Sequence, residues 1–201
     1  MSDPSRLLVV RHGQSTWNAE GRWQGTENPP LSTLGVRQAR HAAQHLGTFD
    51  AVVASDLERA FVTATILAEE LGIGPVQTDP DLRERSAGEY QGLTRHEIEE
   101  RFPGYLAEGL RPPGWEEDDG VLERAAGALA RVALSVGPDG TALVVTHGGV
   151  IHTLERALGL RREQRLANLG GRWFTVGPGH FGGGEDVLLV DEDEVTVPRQ
   201  L

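Results

Sequence analysis

Short runs of four or five apolar residues alternate along this chain with longer stretches whose apolar positions recur every three or four residues. The first run, LLVV at 7–10, closes on Arg11-His12-Gly13 and reads as a buried strand, because a strand covered on both faces does not need alternating polar positions. The segment LSTLGVRQARHAAQHLG then predicts a helix from a Ser32 or Thr33 cap to a Gly47 stop. AVVAS at 51–55 is the next strand. A helix follows from about Asp56 to Leu71, for which Ser55 and Glu58 have capping-box spacing and Gly72 is the stop. A short strand near PVQT at 75–78 leads to the irregular DLRERSAGEYQG at 81–92, and Thr94 with Glu97 repeats the capping-box spacing before a helix over RHEIEERF.

Residues 103–120, PGYLAEGLRPPGWEEDDG, are rich in proline, glycine and acid and read as a loop; a mobile flap is expected over about 88–120. VLERAAGALARVALSV is the next helix, and TALVVTHGGVIHTLERALGL is strand, turn and helix once more. RWFTV and EDVLLVDEDE read as two late strands flanking the glycine-rich GPGHFGGGE, with the run DEDE as a solvated edge that discourages pairing. Strands alternating with helices specify a three-layer α/β/α sandwich with a mostly parallel central sheet. In such sheets ligands bind at the carboxyl ends of the strands.

Composition narrows this picture. With 201 residues, 38% of them hydrophobic, the chain suits a single domain over 1–201 with a sizeable core. No window approaches the roughly 18 apolar residues of a membrane span, and the opening MSDPSR lacks the apolar stretch of a secretory signal, so a cytoplasmic protein is expected. The absence of cysteine excludes disulfides and thiolate metal sites. Nineteen basic against thirty acidic residues leave a net charge of -11, which argues against nucleic acid and anionic membranes as partners. An anionic substrate must therefore be held by a few arginines at short range. A homodimer is left open by the sequence.

The strand ends carry candidates for that task. Arg11 and His12 close the first strand, Ser55 to Arg59 follow the second, Glu84 follows the third, and Thr146 to Gly149 follow the ALVV strand. Gly13 lets the backbone bend away from His12 or approach an anion closely. His147-Gly148-Gly149 repeats the arrangement and adds the amide hydrogens and positive dipole end of a helix, so both places suit phosphate.

Taken together, RHGQSTWN, WQGTENPPLSTLGVRQA, SDLERAFVTA, LRERSAGEYQGLT and VVTHGGVI resemble, in order, the motifs of the histidine phosphatase superfamily, also called phosphoglycerate mutase-like. The resemblance covers nearly the whole chain and implies the fold of that family. It implies that His12 attacks phosphorus and carries a phosphohistidine. Arg11, Arg59 and His147 would clamp the phosphoryl oxygens, with Asn18 adding a neutral donor. Glu84 would serve as general acid and base, taking up a proton beside a dianionic substrate. Gln24 and Gly25 match a segment near the pocket mouth, where a plain turn is an equal reading, and Gly148 stands at the second histidine. The implied substrate is a small phosphate monoester, with no metal and no cofactor.

The chain departs from the family pattern at Val62, where members carry Gln or Glu before the threonine, and at PGWEED, where Glu116 stands for a glycine-glutamate-serine segment. Two other readings compete with a phosphatase. A mutase would hold a bisphosphate, and Glu84-Arg85 echoes a mutase-like pair, but between Gly92 and Gly120 only Arg95, Arg101 and Arg111 are basic. A phosphoprotein-binding module with an inactive site would call for an altered His12, Arg59 or Glu84, and none is altered. SDLERAFVTA and LRERSAGEYQGLT look like broad-specificity and glucosyl-3-phosphoglycerate phosphatases, and the acidic flap points to monoesters rather than polyphosphates. Trp17, Trp23, Tyr90 and Trp115 are either a pocket rim or ordinary packing. His41, His45, His96, His152 and His180 are expected on helix surfaces or in loops, and Arg161, Arg162 and Arg165 at a solvated helix end.

Overall fold

A computed structural model describes residues 3–162 and 165–197. Its strands are β1 (Ser5–Arg11), β2 (Ala51–Ala54), β3 (Gln77–Thr78), β4 (Thr141–Thr146), β5 (Gly170–Gly177) and β6 (His180–Leu188). They form one six-stranded sheet in the order β3-β2-β4-β1-β5-β6. The pairs β3-β2, β2-β4 and β4-β1 are parallel, whereas β5 runs antiparallel to β1 and to β6. The mostly parallel sandwich expected from the alternation is the fold observed.

The unbroken apolar runs follow from cover on both faces. Leu7, Val9, Val53, Ala142 and Val144 pack against α6 (Asp118–Val136) and α7 (Gly148–Ala157) through Val121, Leu129, Val150 and Leu154. Leu8, Val10, Val52, Ala54, Leu143 and Val145 face the other way, onto α2 (Thr33–Ala43) and α3 (Glu58–Leu71) through Ala42, Ala60, Ala64 and Leu67. All of these strand residues are therefore withdrawn from water, worth roughly 1.5–3 kcal/mol for each fully buried Val or Leu. Register then aligns the strand ends. Arg11 lies opposite Thr146 and Ala54 opposite Val145, and the ladder continues one step further through His12 N to Thr146 O at 3.0 Å and Ser55 N to Val145 O at 2.9 Å. His12, Ser55 and His147 leave the sheet along one edge.

Several helix boundaries differ from the sequence reading. The cap on α2 is Ser32, as expected, but the helix ends at Ala43 and gives way to turns before Gly47. The Ser55–Glu58 capping box does not form: the Ser55 hydroxyl lies 2.9 Å from His147 Nε2 and accepts Leu57 N at 3.3 Å rather than Glu58 N. The α3 N-terminus is instead capped from a distant loop, Glu58 N donating to Asn28 Oδ1 at 2.7 Å. Thr94 and Glu97 do form a capping box, which starts the helix α4 (Arg95–Arg101). A short helix within the first motif, α1 (Thr16–Glu20), was not expected; Ser15 and Asn18 cap it reciprocally.

Residues 103–120 are not a bare loop. They contain α5 (Tyr105–Glu108), and α6 opens at Asp118, three residues before the predicted helix, with Asp118 and Asp119 at the positive end of its dipole. Trp23, Tyr90, Phe102, Tyr105 and Trp115 gather with Ile98 in a small separate core, so Trp23, Tyr90 and Trp115 are packing residues. These apolar residues come from several segments and show no single periodicity, which is why the sequence reads as a loop.

The end of the chain brings three further corrections. Gly182 to Gly184 lie within β6 rather than between two strands, since Gly183 takes the Leu160 side chain where a Cβ would stand. The acidic run 191–194 contains a short 3-10 turn in which Asp191, Glu192 and Asp193 are exposed, as expected, whereas Glu194 is buried and bonded to His41 at 2.9 Å. Arg162 is half-buried: Glu155, 3% exposed, receives Arg162 at 2.7 Å and Arg172 at 2.8 Å, with His152, on the α7 surface as expected, at 3.6 Å. Arg161 and Arg165 are exposed, as expected.

Candidate active site

His12 sits one residue beyond β1 and is 1% exposed. Its Nδ1 lies 2.6 Å from Gly13 O, a carbonyl that can only accept, so Nδ1 carries the proton and Nε2 presents a lone pair. Arg59 Nε donates to that lone pair at 3.2 Å. Burial, then the positive charges of Arg59 and Arg11, hold the imidazole pKa well below 6.5, against the smaller contribution of the Gly13 bond. The ring is therefore neutral and in one tautomer at physiological pH. Gly13 is required here for space: a Cβ would come within 2.6 Å of Gly35 O, and its N–H is held by Thr63 Oγ1 at 3.1 Å.

Arg59, in the first turn of α3, is fully buried and gathers the loop between α1 and α2. Its two terminal nitrogens donate to Glu27 O at 2.7 Å and Gly25 O at 2.9 Å. Three of its five N–H groups are thus committed and two remain. Gly25 acts through its backbone, with φ +53°, and Gln24 acts through Oε1, which receives the Ser15 hydroxyl at 2.6 Å. Both residues line the wall that holds Arg59 and α1. Arg11 donates to Leu166 O at 3.0 Å. Burial lowers both guanidinium pKa values to about 10, and the nearby Glu84 carboxylate opposes the shift in each. Both stay charged at neutral pH.

His147 caps the backbone of α7 and lies edge to face with His12, ring centroids 5.1 Å apart. Its Nε2 is 2.9 Å from Ser55 Oγ. Burial first, then Arg59, His12 and Arg11, lower its pKa well below 6.5, so this ring too is neutral. Glu84 approaches from the loop after β3. Its carboxylate receives Arg85 N at 2.8 Å and Gly149 N at 3.0 Å, the latter from the first turn of α7, beside buried Gly148. A Cβ at position 149 would press on this carboxylate, which gives the second glycine of HGG its reason.

The predicted residues therefore converge. Three buried side-chain atoms among the described residues lack hydrogen-bond partners, and all three belong here: Arg11 Nε, Asn18 Nδ2 and His147 Nδ1. Two fixed cations, two neutral imidazoles and one carboxylate make a locally positive pocket in a chain of net charge -11. Such a pocket can bind a dianion and offer it an imidazole lone pair. Among the described residues no group of three or more His, Cys, Asp or Glu could hold a metal ion, and no helix is long and apolar enough to cross a membrane.

Sequence reasoning placed Ser55 at a strand end without its partner, and missed Thr63 and Asn168, the other residues that hold this set in place. Ser55 fixes His147, Thr63 fixes Gly13, and Asn168 donates to His12 O at 2.9 Å. Glu116 lies outside the cluster, tying 103–120 to α6 by accepting two hydrogen bonds from Arg124 at 2.7 and 2.9 Å. Arg85 points away from Glu84, to Thr153 Oγ1 at 2.7 Å and Asp118 at 2.6 Å.

Residues 7–171 match the sequence profile of the histidine phosphatase superfamily (branch 1). The glucosyl-3-phosphoglycerate phosphatase of Mycobacterium tuberculosis is 34% identical over 198 residues, covering 90% of this chain and 88% of its own. The metal-independent phosphoserine phosphatase of Arabidopsis thaliana is 36% identical over 173 residues, 81% of this chain and 71% of its own. A solved structure of a mycobacterial glucosyl-3-phosphoglycerate phosphatase complexed with VO3 matches with a TM-score of 0.74 at 33% identity, over 84% of this chain and 90% of that one.

Proposed function

The chain belongs to the histidine phosphatase superfamily, and from that premise we propose that it hydrolyses small phosphate monoesters through a phosphohistidine on His12, without a metal. The carrying observation is the set of unpartnered buried polar atoms, the donors Arg11 Nε and Asn18 Nδ2 together with His147 Nδ1, around a neutral His12 whose Nδ1 is anchored to Gly13 O. In the first step Nε2 attacks phosphorus as the P–O bond breaks, and the leaving oxygen takes a proton from Glu84. Arg59 Nε turns from Nε2 to a phosphoryl oxygen, and the two arginines balance charge as it spreads over the transferring group. In the second step Glu84 takes a proton from water, whose oxygen attacks phosphorus; the P–N bond breaks and inorganic phosphate and His12 are restored.

The aromatic core under 88–120 keeps Trp23, Tyr90 and Trp115 from serving as a stacking platform, so the reading favours a polar ester whose recognition rests on the phosphoryl group. Phosphoserine and glucosyl-3-phosphoglycerate, the substrates named for the relatives, head the candidates. The test is phosphate release from a panel of monoesters without added metal, run beside a 3- to 2-phosphoglycerate isomerisation assay. Phosphate release with one preferred ester supports the proposal; isomerisation without release would overturn it in favour of a mutase.

A further inference from the structure

We propose that Asn168, held by the C-terminal segment, is a positioning residue that fixes which end of the Asn18 amide faces the phosphoryl group. The proposal rests on the reading that this pocket takes a phosphoryl group. Asn168 is fully buried and lies between two parts of the site: its Nδ2 donates to His12 O at 2.9 Å and to Asn18 Oδ1 at 3.2 Å. The His12 carbonyl can only accept, so the Asn168 atom beside it must be the nitrogen. Asn18 Oδ1 also receives Ser15 N at 3.3 Å. With its oxygen held by two donors, Asn18 is left with Nδ2 as its free end, and that nitrogen is unpartnered and buried.

The orientation of Asn168 is set in turn from the end of the chain. Gln38 Nε2 donates to Thr196 Oγ1 at 2.9 Å, which commits the Thr196 hydroxyl proton to Asn168 Oδ1 at 3.0 Å. Asn168 N also donates to Thr196 O at 3.0 Å. The hydrogen-bond chain thus runs in one direction, Gln38 to Thr196 to Asn168 to Asn18. Reversing the Asn168 amide would leave two oxygens facing each other at both His12 and Asn18.

The backbone around Asn168 is shaped to the same end. Leu169 adopts φ +57°, a left-handed conformation that a bulky residue rarely takes, and its N–H reaches Arg11 O at 3.2 Å while Leu166 O receives Arg11 Nη1 at 3.0 Å. Such strain persists only where its surroundings over-determine it, and it concentrates at functional sites. Segment 166–169 is therefore clamped to Arg11 at the end of β1, with the Asn168 side chain turned onto the His12 carbonyl and onto α1, which carries Asn18.

The test is calorimetric binding of inorganic phosphate and of vanadate to the full chain, with kcat and KM for a monoester measured alongside. Asn168→Asp replaces the donor with an acceptor and is expected to turn the Asn18 amide, weakening phosphate and vanadate binding about tenfold or more, the worth of one hydrogen bond to a charged group. Adding Asn18→Ala to that variant is expected to cost little more, whereas in the wild type it costs the full factor. Thr196→Val, which removes only the hydroxyl, keeps the fold testable should Asn168→Asp not fold, and is expected to weaken binding about threefold. Affinities within a factor of two of wild type in folded variants, or losses from positions 18 and 168 that multiply independently, would overturn the proposal. Phosphate binding by a wild-type chain that hydrolyses no ester would refute the proposed reaction, while the positioning role is judged on the affinities alone.

Discussion

Replacing Gly149 by alanine separates the fold from the chemistry. An ideal Cβ at this position would stand 3.1 Å from Glu84 Cδ and 3.4 Å from Oε2, with Oε1 nearer still. The carboxylate is the far end of a flexible side chain, so it is the group that gives way, by on the order of 1 Å, and its alignment with Gly149 N at 3.0 Å is lost. A displacement of that size in a catalytic group costs about 10²-fold, within the 10²- to 10⁴-fold that general acid–base catalysis supplies. Stability moves the other way, because alanine in a helix is favoured over glycine by about 0.5–1 kcal/mol. Gly149→Ala should therefore unfold at an equal or higher denaturant concentration while losing about 100-fold in kcat on an alkyl phosphate. An aryl phosphate with a good leaving group needs little protonation and should lose far less. The assay is kcat on both esters beside a urea titration. Equal losses on the two esters, or full activity on the alkyl ester, would refute the assignment of Glu84 as the acid.

Glu84→Gln should show the same split between esters with a larger loss on the alkyl phosphate, read from the ratio of the two kcat values. Stability should fall as pH drops below 6.5, because the unfolded imidazoles take up protons that buried His12 and His147 refuse. The loss should deepen below 4.5, where Glu155 is protonated in the unfolded chain but, although burial opposes it, stays ionised in the native state down to about 2 beside His152 and the hydrogen-bonded Arg162 and Arg172. A urea midpoint that is flat from pH 7 to 4 would contradict both. Arg172→Met should cost about 3 kcal/mol by chemical denaturation, since it strips a buried partner from Glu155; a loss under 1 kcal/mol would show that Arg162 suffices alone. Activity should survive dialysis against a metal chelator unchanged, and sharp inhibition would exclude a metal-independent mechanism.

The sheet was legible because its strands are buried on both faces, so continuous apolar runs such as 7–10 and 142–145 have few other readings. The strand ends were legible for the same reason: parallel register carries Arg11, Ser55 and Thr146 to one edge whatever the helices do. Local signals failed where a distant group took over a side chain. Ser55 has the spacing of a cap, yet its hydroxyl serves His147, 92 positions away, and Asn28 caps the helix in its place. Asn168 is a lone asparagine in a loop, and nothing near it in the chain announces Thr196 or His12. The segment 103–120 misled because its apolar residues complete a core with Trp23 and Tyr90 instead of forming a periodic face of their own.

The central claim is that His12 becomes covalently phosphorylated. Rapid quench with a ³²P-labelled monoester, followed by peptide mapping, tests it directly. The account predicts an acid-labile, base-stable label approaching one phosphate per chain on His12, formed and lost at rates compatible with turnover and absent from His12→Ala. Turnover with no trapped label on the millisecond scale, or a label on His147, would contradict it.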